Sequence, residues 1–141
     1  MGDEAVELAL RALRHRERSS LQVEKHLEAR GVDEEHRIAA IDTLRRTGLV
    51  DDRRFAQARA AGLAQKGAGD ALIRHDLGAA GIDRDLVDAA VGDLEDEVTR
   101  ARRVVERRGV GASTVRYLVG KGFPADVAHG VVAEASTEAL G

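Results

Sequence analysis

Three stretches of this sequence share one pattern, a leucine followed four residues later by a glycine and then by a large apolar residue: Leu27-Glu28-Ala29-Arg30-Gly31-Val32, Leu77-Gly78-Ala79-Ala80-Gly81-Ile82 and Leu118-Val119-Gly120-Lys121-Gly122-Phe123. An amphipathic segment precedes each copy and another follows it. A helix that ends in glycine and restarts after one apolar residue is typical of a helix–turn–helix corner. Three copies predict a repeat protein, an architecture that suits contact with long partners better than catalysis.

The composition argues against one thick core. Phe, Tyr and Trp total three residues in 141, and alanine supplies much of the apolar content. Because aromatic rings carry much of the burial energy of a compact core, several small alanine-packed helix clusters fit better. The chain has no cysteine, no apolar run of about 18 residues and an acidic start, so we expect a cytoplasmic protein without a membrane segment.

Apolar residues recur with helical period along the whole chain, and no strand pattern is visible. The spacing predicts helices over about 3–16, 20–31, 33–48, 52–67 and 68–80, one long helix over about 84–108, and two more that start at Ser113 and Pro124. The predicted fold is all-α, an elongated tandem array of three three-helix modules. These modules cover residues 1–50, 51–94 and 95–141, and the long helix links the second to the third.

Around Gly48 the sequence predicts a helix boundary. Asp51 and Asp52 follow it, and adjacent carboxylates point about 100° apart on a helix, with no histidine or further carboxylate placed to complete a metal or acid–base site. We therefore interpret both as helix caps that complement the dipole. Phe55 comes directly after the cap, and we expect it to be the buried anchor of the second module.

The net charge of −3 hides a gradient along the chain. Residues 51–97 carry six Lys/Arg against eleven Asp/Glu, whereas residues 98–141 carry seven against four. Arginines also recur at helical spacing on two predicted faces, and the eighth helix is basic. A solvated charged face is the usual reason for such runs, but the basic excess favours contact with a polyanion or an acidic protein. The candidate binding residues are Arg11, Arg14, Arg18, Arg100, Arg103, Arg107, Arg116 and Lys121.

The segment Gly48-Leu49-Val50-Asp51-Asp52-Arg53-Arg54-Phe55-Ala56 resembles the hallmark of the RecX family, bacterial regulators of the RecA recombinase. The first corner, with Leu27 and Gly31, resembles the family's first module, and residues 73–82, with Leu77 and Gly81, resemble its second. Leu118, Gly122, Phe123 and Asp126 resemble its C-terminal signature. The resemblance covers about residues 5–135 in the correct order.

This resemblance implies tandem three-helix modules that bind along the groove of RecA–DNA filaments. There they suppress strand exchange, ATP hydrolysis and coprotease activity, in recombination, DNA repair and the SOS response. The chain departs from a DNA-binding composition because it is mildly acidic overall. We therefore expect contact with the recombinase filament first, and weak direct binding to nucleic acid stays open.

A second class of function stays open beside the regulator, a helix-turn-helix DNA-binding protein, since each module has that topology. The fifth helix, however, carries Asp70 and Asp76, which would repel phosphates. An enzyme is the weakest class, because no nucleophile–base pair, phosphate loop or metal cluster is visible. We expect no cofactor, no metal and a monomer.

Overall fold

The computed structural model describes residues 2–140, and within them the chain forms nine α-helices and no strand. The helices are α1 (Gly2–Leu13), α2 (Ser20–Ala29), α3 (Glu34–Arg46), α4 (Asp52–Gln65), α5 (Asp70–Ala79), α6 (Arg84–Gly92), α7 (Glu97–Arg108), α8 (Ala112–Gly120) and α9 (Ala125–Leu140). None of these helices is both long enough and apolar enough to cross a membrane.

The helices pack in three consecutive groups of three, which we call module one (α1–α3), module two (α4–α6) and module three (α7–α9). Helix pairs with extensive contact among the described residues belong to the same module. Each module encloses its own hydrophobic cluster. This arrangement confirms the predicted all-α array of three modules. The division at residues 50/51 and 94/95 stays a prediction.

The three leucine–glycine corners form as the repeat predicts. Leu27, Leu77 and Leu118 are fully buried, and burial of each leucine side chain stabilises its module by about 2 kcal/mol. The glycine that follows each one has a positive φ angle, 82° at Gly31, 79° at Gly81 and 95° at Gly122. Glycine adopts this left-handed conformation without the clash that a Cβ would cause. At the third corner Phe123 is also buried.

Module two begins as the sequence predicts, with one addition. Gly48 has a φ of 76°, and the Asp51 side chain caps α4 by accepting a bond from the Arg54 backbone N–H at 3.1 Å. Phe55 is buried in the cluster of module two, which confirms its predicted role. Asp52 is the first residue of α4 and not its cap, and its carboxylate serves module one, as described below.

The predicted long helix over residues 84–108 is wrong. The helix stops at Gly92 and restarts at Glu97, so residues 93–96 form a link between modules two and three. Leu94 packs on the cluster of module two, whereas Val98 packs on that of module three. The apolar period runs through the link, but its two halves are buried in different cores, so the period does not require one continuous helix.

Two helix ends also differ from the prediction. α1 ends at Leu13, and the Arg18 guanidinium donates its Nε–H back to the Ala12 carbonyl in the last turn at 2.9 Å. α8 begins after Gly111, which is its N-cap, so the expected cap at Ser113 is wrong. Ser113 lies inside the first turn of α8, where it is exposed.

Modules one and two meet at a contact that we call junction one. The Ser19 hydroxyl, fully buried, donates to the Ala80 carbonyl at 2.6 Å. The Ser20 backbone N–H donates to the Asp52 carboxylate at 2.7 Å. Leu21 packs on Gly81, where a Cβ would lie 2.5 Å from the Leu21 Cδ2. Junction one therefore joins the start of α2 to the α5–α6 corner and to the start of α4.

Modules two and three meet at junction two. The Gly69 backbone N–H donates to the Lys121 carbonyl at 2.8 Å, and the Asp70 backbone N–H donates to the Glu97 carboxylate at 2.7 Å. Leu72 packs on Gly122, where a Cβ would lie 2.7 Å from the Leu72 Cβ. This contact places the end of α4 beside α7 and α8, and that proximity creates the site described next.

Candidate functional site

A cleft lined by basic side chains lies where modules two and three meet. Its volume is about 260 Å³, and Gln65 and Val104 contribute to its lining. We call it the basic cleft and define it by four cations and the only tyrosine of the chain: Lys66, Arg107, Arg108, Tyr117 and Lys121.

Three helix ends place these residues. Lys66 is the C-cap of α4, Lys121 is the C-cap of α8, and Arg107 lies in the last turn of α7. Gly67, with a φ of 90°, brings the end of α4 so close that its Cβ, if present, would lie 3.5 Å from the Tyr117 hydroxyl. Cations at helix C-termini complement the helix dipole, which is a sufficient structural reason for each residue taken alone. The helix dipole does not explain why three helix ends that carry cations lie beside one cleft.

Tyr117 organises the cations of the basic cleft. The Arg108 guanidinium carbon lies 3.7 Å from the centroid of the tyrosine ring, and the Lys121 ammonium lies 6.0 Å from it. Both distances fall within the range of a cation–π interaction. Among the ion pairs formed within residues 2–140, none involves Lys66, Arg107, Arg108 or Lys121. The cleft therefore presents positive charge that the described part of the chain leaves without a carboxylate partner.

The predicted arginine face of α7 divides in the structure. Arg107 belongs to the basic cleft. Arg103 is exposed, and its guanidinium binds the Glu95 carboxylate through two bonds of 2.7 and 2.9 Å. This hydrogen bonding lowers the pKa of Glu95 and raises the pKa of Arg103. The exposed guanidinium of Arg103 is therefore already paired with the Glu95 carboxylate. Glu95 itself lies in the link over residues 93–96, where its side chain is exposed.

Arg100 does not lie on the surface, so its assignment to an exposed binding face is wrong. Only 7% of its side chain is exposed. Its guanidinium donates to the Ala68 carbonyl at 2.8 Å, to the Glu95 carbonyl at 2.9 Å and to the Asp70 carboxylate. These bonds join α7 to the start of α5, so Arg100 belongs to junction two.

The remaining candidates lie apart from the basic cleft, except Lys121. Arg11 and Arg14 are exposed in module one, and Arg116 is exposed on α8. Arg18 is half-buried and closes the end of α1. Nearby, the pKa of His26 is lowered mainly by burial, and the positive charges of Arg30 and Arg18 lower it further. The structure thus brings Arg107 and Lys121 together and leaves Arg11 and Arg14 as a separate patch.

The sequence did contain a signal for the part of the cleft that was missed. Lys66, Arg108 and Tyr117 were not among the candidates. In four places a basic residue directly precedes a glycine with positive φ, and the last three of them lie at the cleft: Arg30-Gly31, Lys66-Gly67, Arg108-Gly109 and Lys121-Gly122. The pattern marks helix ends that carry a cation, but only the fold shows that these ends meet.

From the sequence we expect no metal site, and we interpret Asp51 and Asp52 as helix caps and not as metal ligands. Within residues 2–140 no three side chains of His, Asp or Glu gather in a way that could hold a metal ion. Asp51 and Asp52 each accept a backbone N–H bond, from Arg54 and Ser20 respectively. Both carboxylates therefore have structural partners.

Comparison with known proteins places the chain in a family. A family model described as the second three-helix domain of RecX matches residues 51–91. The regulatory protein RecX of Stenotrophomonas maltophilia (strain R551-3) is 32% identical over 122 residues, which cover 86% of this chain and 75% of that protein. The chain belongs to the RecX family. The RecX protein of Xanthomonas campestris pv. campestris (strain B100) is 37% identical over 106 residues, which are 75% of this chain and 65% of the length of that relative.

Solved RecX structures share the fold. The crystal structure of RecX from Lactobacillus salivarius superimposes with a TM-score of 0.81 over 96% of this chain and 97% of that one, at 19% sequence identity. A second crystal structure, of a regulatory protein RecX, gives a TM-score of 0.76 over 92% of this chain and 70% of the other, at 20% identity. The resemblance stated from the sequence motifs is therefore confirmed, and the nine-helix array is the RecX fold.

Proposed function

We propose that this RecX-family protein is a non-enzymatic regulator that binds filaments of the RecA recombinase on DNA in the cytoplasm. Binding lowers strand exchange, ATP hydrolysis and coprotease activity of the filament. Family membership supports the partner, and the basic cleft supports the mode of contact. The observation that carries the proposal is that Lys66, Arg107 and Arg108 line one cleft with Tyr117, which Lys121 also approaches, and that these cations have no carboxylate partners among the described residues.

The basic cleft suits a filament that presents phosphates and acidic protein surface together. Arginine and lysine gain affinity for phosphates largely through the release of counterions, so the contact is expected to weaken as salt rises. Arg107 is exposed and available for such a contact. Arg11 and Arg14 supply a second exposed basic patch in module one. Contacts in two modules would let one molecule engage more than one filament subunit.

Direct affinity for free DNA should be weak in this proposal. The chain carries a net charge of −3, and residues 51–97 are its most acidic part. A polyanion is therefore attracted to the basic cleft and repelled by much of module two. Binding to bare DNA then depends on few contacts, whereas a filament adds protein surface beside the phosphates.

The helix-turn-helix alternative is not favoured, because each helix that follows a corner has acidic residues in its first turn, which would repel phosphates: Glu34 and Glu35 in α3, Asp85 in α6 and Asp126 in α9. The helices that precede the first two corners are also covered at their starts. A recognition helix contacts base edges with its N-terminal residues. The start of α5 is bonded to Lys121 and Glu97 in junction two, and the start of α2 is bonded to Ala80 and Asp52 in junction one. Neither helix can enter a groove of DNA without separation of the modules.

A charge-removal experiment tests the proposal. The double variant Arg107→Gln, Arg108→Gln removes two cations of the basic cleft, and its matched control, Arg53→Gln with Arg84→Gln, removes two exposed, unpaired arginines of module two. We measure the ATPase of the cognate recombinase on single-stranded DNA across protein and salt concentrations. The parent and the control should slow hydrolysis alike, whereas the cleft variant should need about tenfold more protein and lose about one unit of log–log salt slope for each phosphate contact removed.

Two different outcomes would contradict the proposed function and the proposed place of contact, respectively. An ATPase rate that the parent protein leaves unchanged at saturation would contradict the proposed function itself. Inhibition by the parent that the cleft variant retains at every salt concentration would instead place the contact elsewhere, with Arg11 and Arg14 as the next candidates. Circular dichroism of each variant shows that the helices remain intact.

A further inference from the structure

The two junctions repeat one design. In each, the N-cap of the middle helix of a module donates a hydrogen bond to the carbonyl directly before the corner glycine of the next module. Ser19 does this with its hydroxyl to Ala80, and Gly69 does it with its backbone N–H to Lys121. The first helical residue, Ser20 or Asp70, then donates its N–H to a carboxylate at the start of the next module.

Each junction also seats one leucine on one glycine. Leu21, the second residue of α2, packs on Gly81, and Leu72, the third residue of α5, packs on Gly122. A helix start is thus recognised by three elements: a carbonyl before a glycine, the bare surface of that glycine, and a carboxylate on the first helix of the module. The carboxylate both satisfies a free N–H of the helix start and complements its positive dipole end.

Module one carries a corner carbonyl, a corner glycine and a carboxylate on its first helix, and within residues 2–140 no other module lies against that glycine. The carbonyl before its corner glycine belongs to Arg30, and Gly31 has the same left-handed backbone as Gly81 and Gly122. A Cβ at Gly31 would meet nothing within 4 Å, in contrast to the close leucine contacts of the other two. Glu4 lies in the first turn of α1 and lines the same groove as Arg30 and Gly31, so it supplies a carboxylate beside this corner, although it is the third residue of its helix whereas Asp52 and Glu97 are the first of theirs.

These elements line an open groove of about 270 Å³. Leu8 and Val32 give it an apolar part, and Glu4 and Asp33 give it negative charge. The Asp33 carboxylate is held by the backbone N–H of His36 at 2.9 Å, and this bond lowers the pKa of Asp33. We call it the module-one groove and define its lining by Glu4, Leu8, Arg30, Gly31, Val32 and Asp33.

We propose that the module-one groove is a docking site for the start of an α-helix of a partner protein. The partner helix carries a leucine or a similar aliphatic residue in its first turn, which seats on Gly31. Its first free N–H groups face Glu4, and its N-cap donates to the Arg30 carbonyl. The two internal junctions supply this description, since the chain already binds two helix starts in this way.

A second copy of this chain does not fit the groove. The starts of α2, α4, α5 and α7 are engaged in the junctions, and the starts of α6 and α9 directly follow the corner glycines that Leu21 and Leu72 cover. The second and third residues of α1 and α3 are all charged or histidine, which leaves the start of α8. The positions of α8 that correspond to Leu21 and Leu72 hold Ser113 and Thr114, and Thr114 is buried. Without an aliphatic side chain in the first turn, α8 lacks the part that seats on the glycine. The occupant is therefore a helix of another protein.

The chain's own sequence provides the probe for a test. A peptide of residues 18–29, held helical by a covalent link between positions 24 and 28, presents Ser19, Ser20 and Leu21 as junction one does. We titrate it into the isotope-labelled full chain and follow backbone amide shifts. Saturable shifts should be confined to the residues of the module-one groove, such as Leu8 and Val32. The same peptide with Leu21→Ser should bind about tenfold more weakly, the effect of about 1.4 kcal/mol.

Two glycine variants supply the matched control in the protein. Gly31→Ala and Gly48→Ala place a Cβ at positive φ angles of 82° and 76°, and neither Cβ meets an atom within 4 Å. Both should carry similar backbone strain, but only Gly31→Ala obstructs the leucine seat. Loss of peptide binding in Gly31→Ala with retention in Gly48→Ala supports the proposal. Equal binding by both variants overturns it, as does equal binding of both peptides. Self-association of the full chain that Gly31→Ala abolishes would also overturn it, because the occupant would then be a second copy.

Discussion

Junction one and junction two use the same backbone plan but fill it with different chemistry. At the N-cap, junction one has a serine whose hydroxyl reaches the partner carbonyl, and junction two has a glycine whose backbone N–H does so. The glycine lets the chains approach more closely, because a Cβ at Gly69 would lie 2.6 Å from the backbone carbon of Gly122. The same plan of contacts thus tolerates two spacings between modules.

The charges at the two junctions differ even more. Junction two contains Arg100, which is 7% exposed and bonded to Asp70 and to two backbone carbonyls. At junction one the charged pair is Arg54 with Glu17, and both side chains are nearly half exposed. A buried charge that loses its partner is strongly destabilising, whereas an exposed pair contributes little. The comparison suggests that modules two and three form the more firmly coupled pair, which suits a cleft built from both of them.

The largest effect is expected at Arg100. Arg100→Ala removes three hydrogen bonds at once and leaves the Ala68 carbonyl and the Asp70 carboxylate without their buried donor. The free energy of unfolding should fall by about 3 kcal/mol. Urea unfolding followed by circular dichroism measures this change. The control is Arg107→Ala on the same helix, an exposed arginine without an ion pair, which should alter stability by less than about 0.5 kcal/mol.

A similar small change for both variants would show that Arg100 contributes no more than a surface residue. In that case the asymmetry between the junctions would rest on the closer approach of the backbones alone. Arg100→Lys sharpens the result, since lysine keeps the charge but cannot bond to three acceptors in the planar geometry of a guanidinium. We expect its stability to fall between those of the parent and Arg100→Ala.

The second-largest effect is expected at Gly69, the N-cap residue of junction two. Gly69→Ser gives junction two the residue type of junction one, but its Cβ would lie 2.6 Å from backbone atoms of Gly122 and Phe123. Backbone atoms cannot move aside as a flexible side chain can, so the modules must separate slightly, and unfolding should become easier by about 2 kcal/mol. Thermal and urea unfolding both report the change.

Gly62→Ser is the matched control for this substitution. Gly62 lies within α4, and a Cβ there meets nothing within 4 Å. Serine has a higher helix propensity than glycine, so this variant should be as stable as the parent or slightly more stable. If Gly69→Ser behaves like Gly62→Ser, the spacing between modules two and three is more adaptable than the close contact at Gly69 indicates.

Local features of the fold were predictable from the sequence because they depend on near neighbours. The corner glycines and the Asp51 cap each involve residues within a few positions, and the structure confirms them. Phe55 was predictable for a similar reason, since an aromatic residue just after a cap, in a chain with few aromatics, has little choice but the core.

The junctions and the cleft were not predictable, because they join residues far apart in the sequence. Asp52 accepts a bond from Ser20, which lies 32 positions earlier, and Arg100 donates to Ala68 at the same separation. Helical spacing placed Arg100 and Arg107 on one face, but spacing does not reveal which part of that face another module covers. The break at residues 93–96 escaped prediction because the apolar period continues through it while the core that it serves changes.

The smallest effect is expected at the exposed pair of junction one. Glu17→Gln keeps the size of the side chain and removes its charge, while Arg54 keeps its separate bond to the Gly48 carbonyl at 2.9 Å. Both partners are nearly half exposed, so the free energy of unfolding should fall by less than about 0.5 kcal/mol at low salt. In 1 M salt, where the screening length is about 3 Å, parent and variant should unfold together. A loss above about 1 kcal/mol that persists in high salt would mean that this pair holds junction one as Arg100 holds junction two, and the contrast between the junctions would then disappear.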